Sequence, residues 1–368
     1  MQTIRENERE RRPFLSFLFT GKNGASGHRP CRRQAPAVLS VRVKGLPSPA
    51  RREPDSSAKG SLPPSFCRGG GFHGTHGAIA LLVLLWLFPA ARTMAAPGGQ
   101  ILYERDSIYN HITVRQEGTQ RCMIFGRQRD LRQTCIDLEK PDDSVFEYTA
   151  MMFAGFLFRP EAKSVCLIGL GGGYIPLVFR MHLPQVRLHS VEVDPLVEKL
   201  AREYFGFTIP AGHKLSIDDG RQFLKKSLER YDQIWLDAFN SDYIPSHLAT
   251  KEFLQLTRSR LTDGGIVVQN LFCGNRLYDA QIATFRSVFA KVYVFEGQKS
   301  GSCIILASDR PAMDPAGLVK QAQRLGGRIG RIDLFAEIAK CKAPVAAKKA
   351  PVLTDDFNPA NLLLLQKK

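Results

Sequence analysis

A chain of 368 residues with 44% hydrophobic content can bury one large core or two smaller ones, which excludes disorder along its whole length. The net charge of +16 is uneven: residues 1–77 hold 14 Lys or Arg against 5 Asp or Glu, a net of +9. The remainder therefore carries only +7, and the basic balance says little about the rest of the chain. The leader 1–77, with 8 prolines and 10 glycines and no apolar periodicity, is expected to be disordered. Its aromatics cluster at Phe14, Phe17 and Phe19 instead of interleaving with arginines, which argues against a nucleic-acid arm. A start codon placed too far upstream would explain it equally well. Residues 78–88 then form an apolar run of 11, too short for a membrane span of about 20. The run suits a signal-peptide core, and Pro89 with Ala90, Ala91, Thr93, Ala95 and Ala96 supplies cleavage positions through residue 96. Only Arg68 gives positive charge ahead of it, and a buried or amphipathic segment is the other reading. Cleavage would place the protein outside the cytosol; retention would leave it inside.

Residues 101–160 read as a small β-rich domain with strands near 111–115 and 121–125. Cys122 and Cys135 flank a hairpin-like segment around Gly126 and could pair in an oxidising compartment. No Cys-x-x-Cys pair occurs, so a metal site is not expected, and Cys166 sits in a fully apolar strand as a core residue.

The next segment, 161–310, carries the chemistry. The apolar run 165–168 enters Gly169-Leu170-Gly171-Gly172-Gly173, and Tyr174-Ile175-Pro176 opens a helix. Residues without Cβ let the backbone N–H groups approach a ligand closely. A second run, 187–193, places Glu192 about 20 residues past the loop, where α/β nucleotide folds put a carboxylate on ribose hydroxyls. Asp194-Pro195 reads as a helix N-cap and first turn. A third run, 214–217, ends at Asp218-Asp219-Gly220, and a fourth, 233–236, ends at Asp237. Four strand ends in order make one crevice for an adenine nucleoside. The loop misses the dinucleotide fingerprint, because Tyr174 stands where the last glycine belongs, and this favours a methyltransferase-type sheet over a hydride-transfer domain. Helices are predicted at 195–205, 221–229, 250–261 and 278–289, and late strands at 266–271, 291–295 and 303–307. The alternation predicts a doubly wound, Rossmann-like α/β fold with a mainly parallel sheet. In the C-terminal extension, 311–368, the Lys-, Ala- and Pro-rich stretch 340–350 reads as solvated, and Asp355-Asp356 as a segment that folds back over the site.

From Asp106 to Leu271 the motifs resemble those of the polyamine aminopropyltransferases, spermidine synthase and its relatives. Asp106-Ser107-Ile108-Tyr109-Asn110-His111-Ile112 is similar to the family's opening Ser-x-Tyr-Gln-x-Ile. Residues 126–133 and Asp142-Asp143 follow at the family's spacing. Then come Gly171-Gly172-Gly173, Glu192-Val193-Asp194, Asp219-Gly220, and Asp237 before Lys251-Glu252-Phe253. The ending Leu353-Thr354-Asp355-Asp356-Phe357-Asn358-Pro359 resembles the tail of the family's spermidine synthase-like branch.

The resemblance implies no permanently bound cofactor, decarboxylated S-adenosylmethionine as co-substrate, a small amine as acceptor and a homodimer. It assigns Glu192 to the ribose hydroxyls, Asp219 to the adenine amino group and Asp237 to the base that accepts the amine proton. An alkyl ammonium has a pKa of about 10.4, so freeing its lone pair at pH 7 costs roughly 4 to 5 kcal/mol, and a positioned carboxylate must take that proton. Asp242 comes nearest to the second acid of the family's Asp-Ser-Ser-Asp-Pro loop, after a one-residue insertion. Departures fall in the amine half. Tyr174 replaces the acid that holds the aminopropyl amine, Phe146-Glu147-Tyr148 replaces Tyr-His-Glu, and Asn110 replaces glutamine. A dicationic acceptor needs paired carboxylates, and these changes weaken putrescine as acceptor. An S-adenosylmethionine-dependent methyltransferase and a nucleoside-binding protein without turnover are the alternatives, because fold alone does not separate them.

Overall fold

The computed structural model describes residues 99–127, 132–239, 244–274, 277–299, 301–342 and 350–359. The chain divides into two units, Met1–Val83 and Leu84–Lys368, and every described residue belongs to the second. The leader, the apolar run 78–88 and Asp242 lie outside the described residues.

A four-stranded antiparallel meander comes first: β1 (Gln100–Asp106), β2 (His111–Glu117), β3 (Gln120–Phe125) and β4 (Arg132–Asp137). Cys122 stands opposite Cys135 across β3 and β4, and the two form a disulfide. Two short helices follow, α1 (Glu147–Met152) and α2 (Gly155–Phe158). The large domain then alternates: β5 (Ser164–Ile168), α3 (Tyr174–His182), β6 (Arg187–Glu192), α4 (Pro195–Phe205), β7 (His213–Ile217), α5 (Gly220–Lys226), β8 (Tyr231–Leu236), α6 (Lys251–Ser259), β9 (Leu261–Phe272) and α7 (Leu277–Arg286). The hairpin β10 (Lys291–Glu296) and β11 (Ser302–Ser308) completes the core alternation. The extension adds α8 (Pro315–Arg324), β12 (Arg328–Ile329), β13 (Ile332–Asp333), α9 (Leu334–Ile338) and β14 (Cys341–Lys342).

The eight-stranded sheet runs β14-β10-β11-β9-β8-β5-β6-β7, with β9, β8, β5, β6 and β7 parallel and the other three antiparallel. The doubly wound, mainly parallel expectation is therefore met. β5 is buried at every position, as a strand covered by helices on both faces requires. Helix boundaries follow local chemistry. The Asp194 side chain accepts from Leu196 N, Pro195 fills the first turn, and Gly206 closes α4 in the left-handed conformation. Asp219 and Thr250 cap α5 and α6 in the same way.

One core lies between the sheet and α1, α2 and α3, centred on Trp235, whose ring meets Phe153, Phe156 and Phe179 edge-on. Replacing such a residue by alanine costs about 3–5 kcal/mol. A second core fills the opposite face around Phe253, Phe285 and Ile305. The meander packs Ile112, Val114, Met123 and Phe125 against Val197, Leu200 and Phe205 of α4, which fixes it over the C-terminal ends of β5 and β6. Among the described residues no helix is long and apolar enough to cross a membrane.

Candidate active site

The glycine loop joins β5 to α3. Gly169 (φ +102°) and Gly173 (φ +82°) occupy the left-handed region, and a Cβ at Gly169 would collide with the Asp237 carbonyl. A Cβ at Gly172 would meet Phe205, one at Gly173 Phe207, and one at Gly171 Thr134. The chain's own packing thus demands these glycines before any ligand does. Several loop N–H groups are engaged within the protein: Gly169 N donates to Val191 O, Leu170 N to Glu192 Oε2, Gly172 N to Thr134 Oγ1 and Gly173 N to Leu170 O. Gly220 lies against Ile168 at the neighbouring strand end.

Glu192 is buried at the end of β6. Its Oε2 accepts from Leu170 N and its Oε1 from Asp194 N, both at 3.0 Å. Burial raises its pKa, and the backbone donors oppose the rise. The Val193 N–H also reaches this carboxylate, whose oxygens have room for further donors. Asp219, at the end of β7, caps α5 with Oδ1 on Gln222 N at 2.9 Å, while Oδ2 meets His247 Nε2 at 2.8 Å. The bond from His247 lowers the Asp219 pKa.

Asp237 follows β8 directly. Its carboxyl receives Asn270 Nδ2 at 3.0 Å and hydrogen-bonds the Tyr148 hydroxyl. Burial pushes its pKa up to about 7; the bonds from Asn270 and Tyr148 hold it down, and the charge of Glu192 adds to the rise. A base acts best when its pKa lies near the working pH, and this carboxyl meets that condition. Tyr148 is half-buried, and its hydroxyl also lies 3.4 Å from Gln133 O.

Tyr174, expected beside the substrate, is turned into the core instead. It is 6% exposed, its hydroxyl donates to Asp142 O at 3.3 Å, and burial pushes its pKa up to about 12. At the first position of α3, a phenol gains more from packing with Phe179 and Val178 than from an aqueous crevice. Asn110 lies in the β1–β2 turn, where Ser107 Oγ accepts its N–H and donates to Asp194 Oδ2 at 2.5 Å. That network brings the turn to the end of β6. Glu147 points away from Asp237: it accepts from Gln298 N and Lys299 N and pairs with Lys340 at 3.3 Å.

Of the two residues that touch Asp237, Tyr148 falls in the Phe146-Glu147-Tyr148 departure from the family's Tyr-His-Glu, while Asn270 carries no single-residue signal in the sequence. Asn270 lies inside β9, with Gln269 before it and Leu271 and Phe272 after, so no local pattern singles it out. A cavity of about 670 Å³ opens outside the crevice beside α5, lined by Asp219, Arg221, His247 and Asp355 among others, and shares Asp219 with the crevice. The void beneath the crevice floor, among Ile168, Leu236, Phe253 and Gln269, is only about 10 Å³. The glycine loop, Glu192 and Asp237 converge at the strand ends and not in the larger cavity.

A small antiparallel sheet set over a Rossmann-like, methyltransferase-type sheet, with acids at successive strand ends, defines the class of α/β protein. The family model described as "Spermine/spermidine synthase domain" matches residues 145–304. A polyamine aminopropyltransferase of Vibrio vulnificus (strain CMCP6) is 35% identical over 294 residues, covering 76% of this chain and 98% of that protein. The chain therefore belongs to the polyamine aminopropyltransferase family, spermidine synthase and its relatives. A crystal structure of a probable spermidine synthase from Corynebacterium glutamicum superposes with a TM-score of 0.53 at 21% identity, covering 70% of this chain and 98% of that one, and shows the shared fold. An eEF1A lysine and N-terminal methyltransferase from Bos taurus is 33% identical over 167 residues, 40% of this chain and 24% of that protein.

Proposed function

We propose that the protein transfers an aminopropyl group from decarboxylated S-adenosylmethionine to a small primary amine, releasing methylthioadenosine. The observation that carries this reading is Asp237: a carboxyl with a pKa of about 7, beside the glycine loop, in a chain of this family. In the reaction the amine lone pair attacks the methylene next to the sulfonium. The carbon–sulfur bond breaks and its electron pair stays on sulfur as a neutral thioether. The new secondary ammonium then gives a proton to Asp237. Glu192 holds the ribose hydroxyls, Asp219 meets the adenine amino group at the crevice rim, and Gly169 to Gly173 form the floor. Tyr148 supports the ionised base by donating to it. Decarboxylated S-adenosylmethionine serves as co-substrate only, and the protein carries no resident cofactor.

Putrescine is the family's acceptor, but with Glu147 paired to Lys340 and Tyr174 in the core, the pocket favours an acceptor held mainly at its attacking nitrogen. Methyl transfer from S-adenosylmethionine is the second reading, favoured by the stretch shared with the bovine methyltransferase. Incubating the full chain with each nucleoside and a panel of amines, with mass-spectrometric detection, separates the two. Aminopropylated amine with methylthioadenosine supports the first; a methylated acceptor with S-adenosylhomocysteine supports the second.

A further inference from the structure

Asp237 does not stand alone at the acceptor end of the crevice. Asn270 stands beside it on the neighbouring strand, two residues before β9 ends: Leu236 pairs with Gln269 in the parallel β8–β9 ladder, so the residues that follow, Asp237 and Asn270, lie side by side. Side chains alternate along a strand, which puts Asn270 on the face of Val268, away from Gln269. Val268 belongs to the α1 side of the sheet, where Tyr148 reaches Asp237. Asn270 is only 6% exposed, and its Nδ2 donates to Asp237 Oδ1 at 3.0 Å, yet its Oδ1 has no partner. A buried amide oxygen without a donor is uncommon and calls for an explanation. The strand end that carries it is held in place, because Cys273 is disulfide-bonded to Cys303 and Leu271 pairs with Cys303 in the β9–β11 ladder.

On the aminopropyl-transfer reading, we infer that Asn270 is a specificity-determining residue of the acceptor pocket, and that its free oxygen together with the Asp237 carboxylate selects a primary amine over a secondary amine, alcohol or thiol. A neutral primary amine has two N–H bonds and one lone pair. With the lone pair aimed at the methylene, the two N–H groups need two acceptors on the opposite side, one of which must also take the departing proton. Asp237 and Asn270 Oδ1 are such a pair, one basic and one not. A secondary amine offers one N–H, as an alcohol or thiol offers one O–H or S–H, and each leaves the buried amide oxygen unpaired. Leaving a buried acceptor unsatisfied discriminates by roughly 10- to 100-fold. The same side chain thus performs two tasks: its nitrogen orients the base and its oxygen reads the nucleophile.

The test is steady-state turnover of the full chain with decarboxylated S-adenosylmethionine and, in turn, 1,4-diaminobutane and its N,N′-dimethyl derivative, which has the same spacing but only secondary nitrogens; turnover compares the two as neutral nucleophiles. The expected result is a preference for the primary diamine of roughly 10- to 100-fold in kcat/KM for the wild type. That preference should collapse to within about 3-fold in Asn270→Leu, which removes the acceptor but fills similar volume. Asn270→Thr keeps a hydroxyl that can both donate to Asp237 and accept from the amine, and should keep the preference, so a misfolded leucine variant would leave a working comparison. Equal kcat/KM of the wild type for the two amines would overturn the inference alone, as would an undiminished preference in Asn270→Leu. Binding of methylthioadenosine with no aminopropyl transfer to either amine would overturn it together with the aminopropyl reading.

Discussion

The Arg221 guanidinium holds the Asp355 carboxylate in a two-pronged pair, with Nη1 on Oδ1 at 2.8 Å and Nη2 on Oδ2. The pair draws the C-terminal segment over α5. Leu353 is fully buried, Lys251 N donates to its carbonyl, and Asn358 Nδ2 donates to Ser246 O. Asp355 thereby becomes a wall of the cavity that Asp219 and His247 also line. Asp355→Ala should weaken methylthioadenosine binding several-fold, with a stability loss of about 0.5–1.5 kcal/mol, since the pair is partly exposed and its Coulomb energy is screened. Calorimetry and a urea melt check the two numbers. An unchanged affinity would make the segment a structural clasp with no part in the site.

For Asp237 the sign of the pH effect is fixed by its direction of shift. Its folded pKa, about 7, lies above the value of 3.8 for a free aspartate. The stabilisation is therefore complete below pH 3.8 and is lost as pH rises through 7, by up to about 4 kcal/mol for a shift of this size. Asp237→Asn cannot ionise, so it should melt higher than wild type at pH 8, and this advantage should vanish near pH 4. Urea denaturation at both pH values measures it. In turnover the acid limb of the wild-type profile should fall near pH 7, as a base that must be ionised requires.

Glu192→Ala should abolish most of the rise in melting temperature that methylthioadenosine produces, because a ligand that binds only the folded state stabilises it by mass action. A retained shift would remove Glu192 from the ribose.

Tyr174 invites a reversal of expectation. From the resemblance, Tyr174→Asp would restore a carboxylate for the aminopropyl ammonium. The buried ring makes a different outcome the expected one: loss of an aromatic side chain from the core, about 3–5 kcal/mol, with no gain in preference for decarboxylated S-adenosylmethionine. Tyr174→Phe removes only the hydroxyl, with its bonds to Asp142 O and Ser144, and should cost about 0.5–1.5 kcal/mol. Denaturation curves of the two variants check both values.

The Cys122–Cys135 disulfide joins neighbouring strands of the small sheet. Removing both cysteines as serines should destabilise the protein by about 2–4 kcal/mol, read from denaturation under oxidising conditions; among the described residues the double variant keeps the Cys273–Cys303 bridge, so an added reductant should destabilise it further.

The strand-end acids were legible because each closes a β-like run within a few residues of sequence. Pro195–Phe205 was legible to its ends because Asp194, Pro195 and Gly206 mark both. The helix α1 was not, because Phe146 at its N-cap makes no side-chain capping bond and the helix spans only 6 residues. Without that helix, Tyr148 was legible as a departure in the amine half but not as the partner of Asp237. β1 and β4 escaped because their exposure does not alternate cleanly, and β12, β13 and β14 are two-residue pairings that no periodicity can reveal. The partners of Asp219 and Asp237, His247 and Asn270, are brought in by long-range packing and carry no local signal. The glycines were legible as a loop, but their neighbours Phe205 and Phe207 were visible only in three dimensions.

The most direct test of the central claim is single-turnover mass spectrometry of the full chain and its Asp237→Asn variant, each with decarboxylated S-adenosylmethionine and a primary amine. Aminopropylated amine and methylthioadenosine are expected from the wild type, with a rate lower by roughly 10² to 10⁴ in the variant and little change in nucleoside affinity. Aminopropyl transfer at the same rate in both proteins, or methyl transfer from S-adenosylmethionine in its place, would contradict the claim.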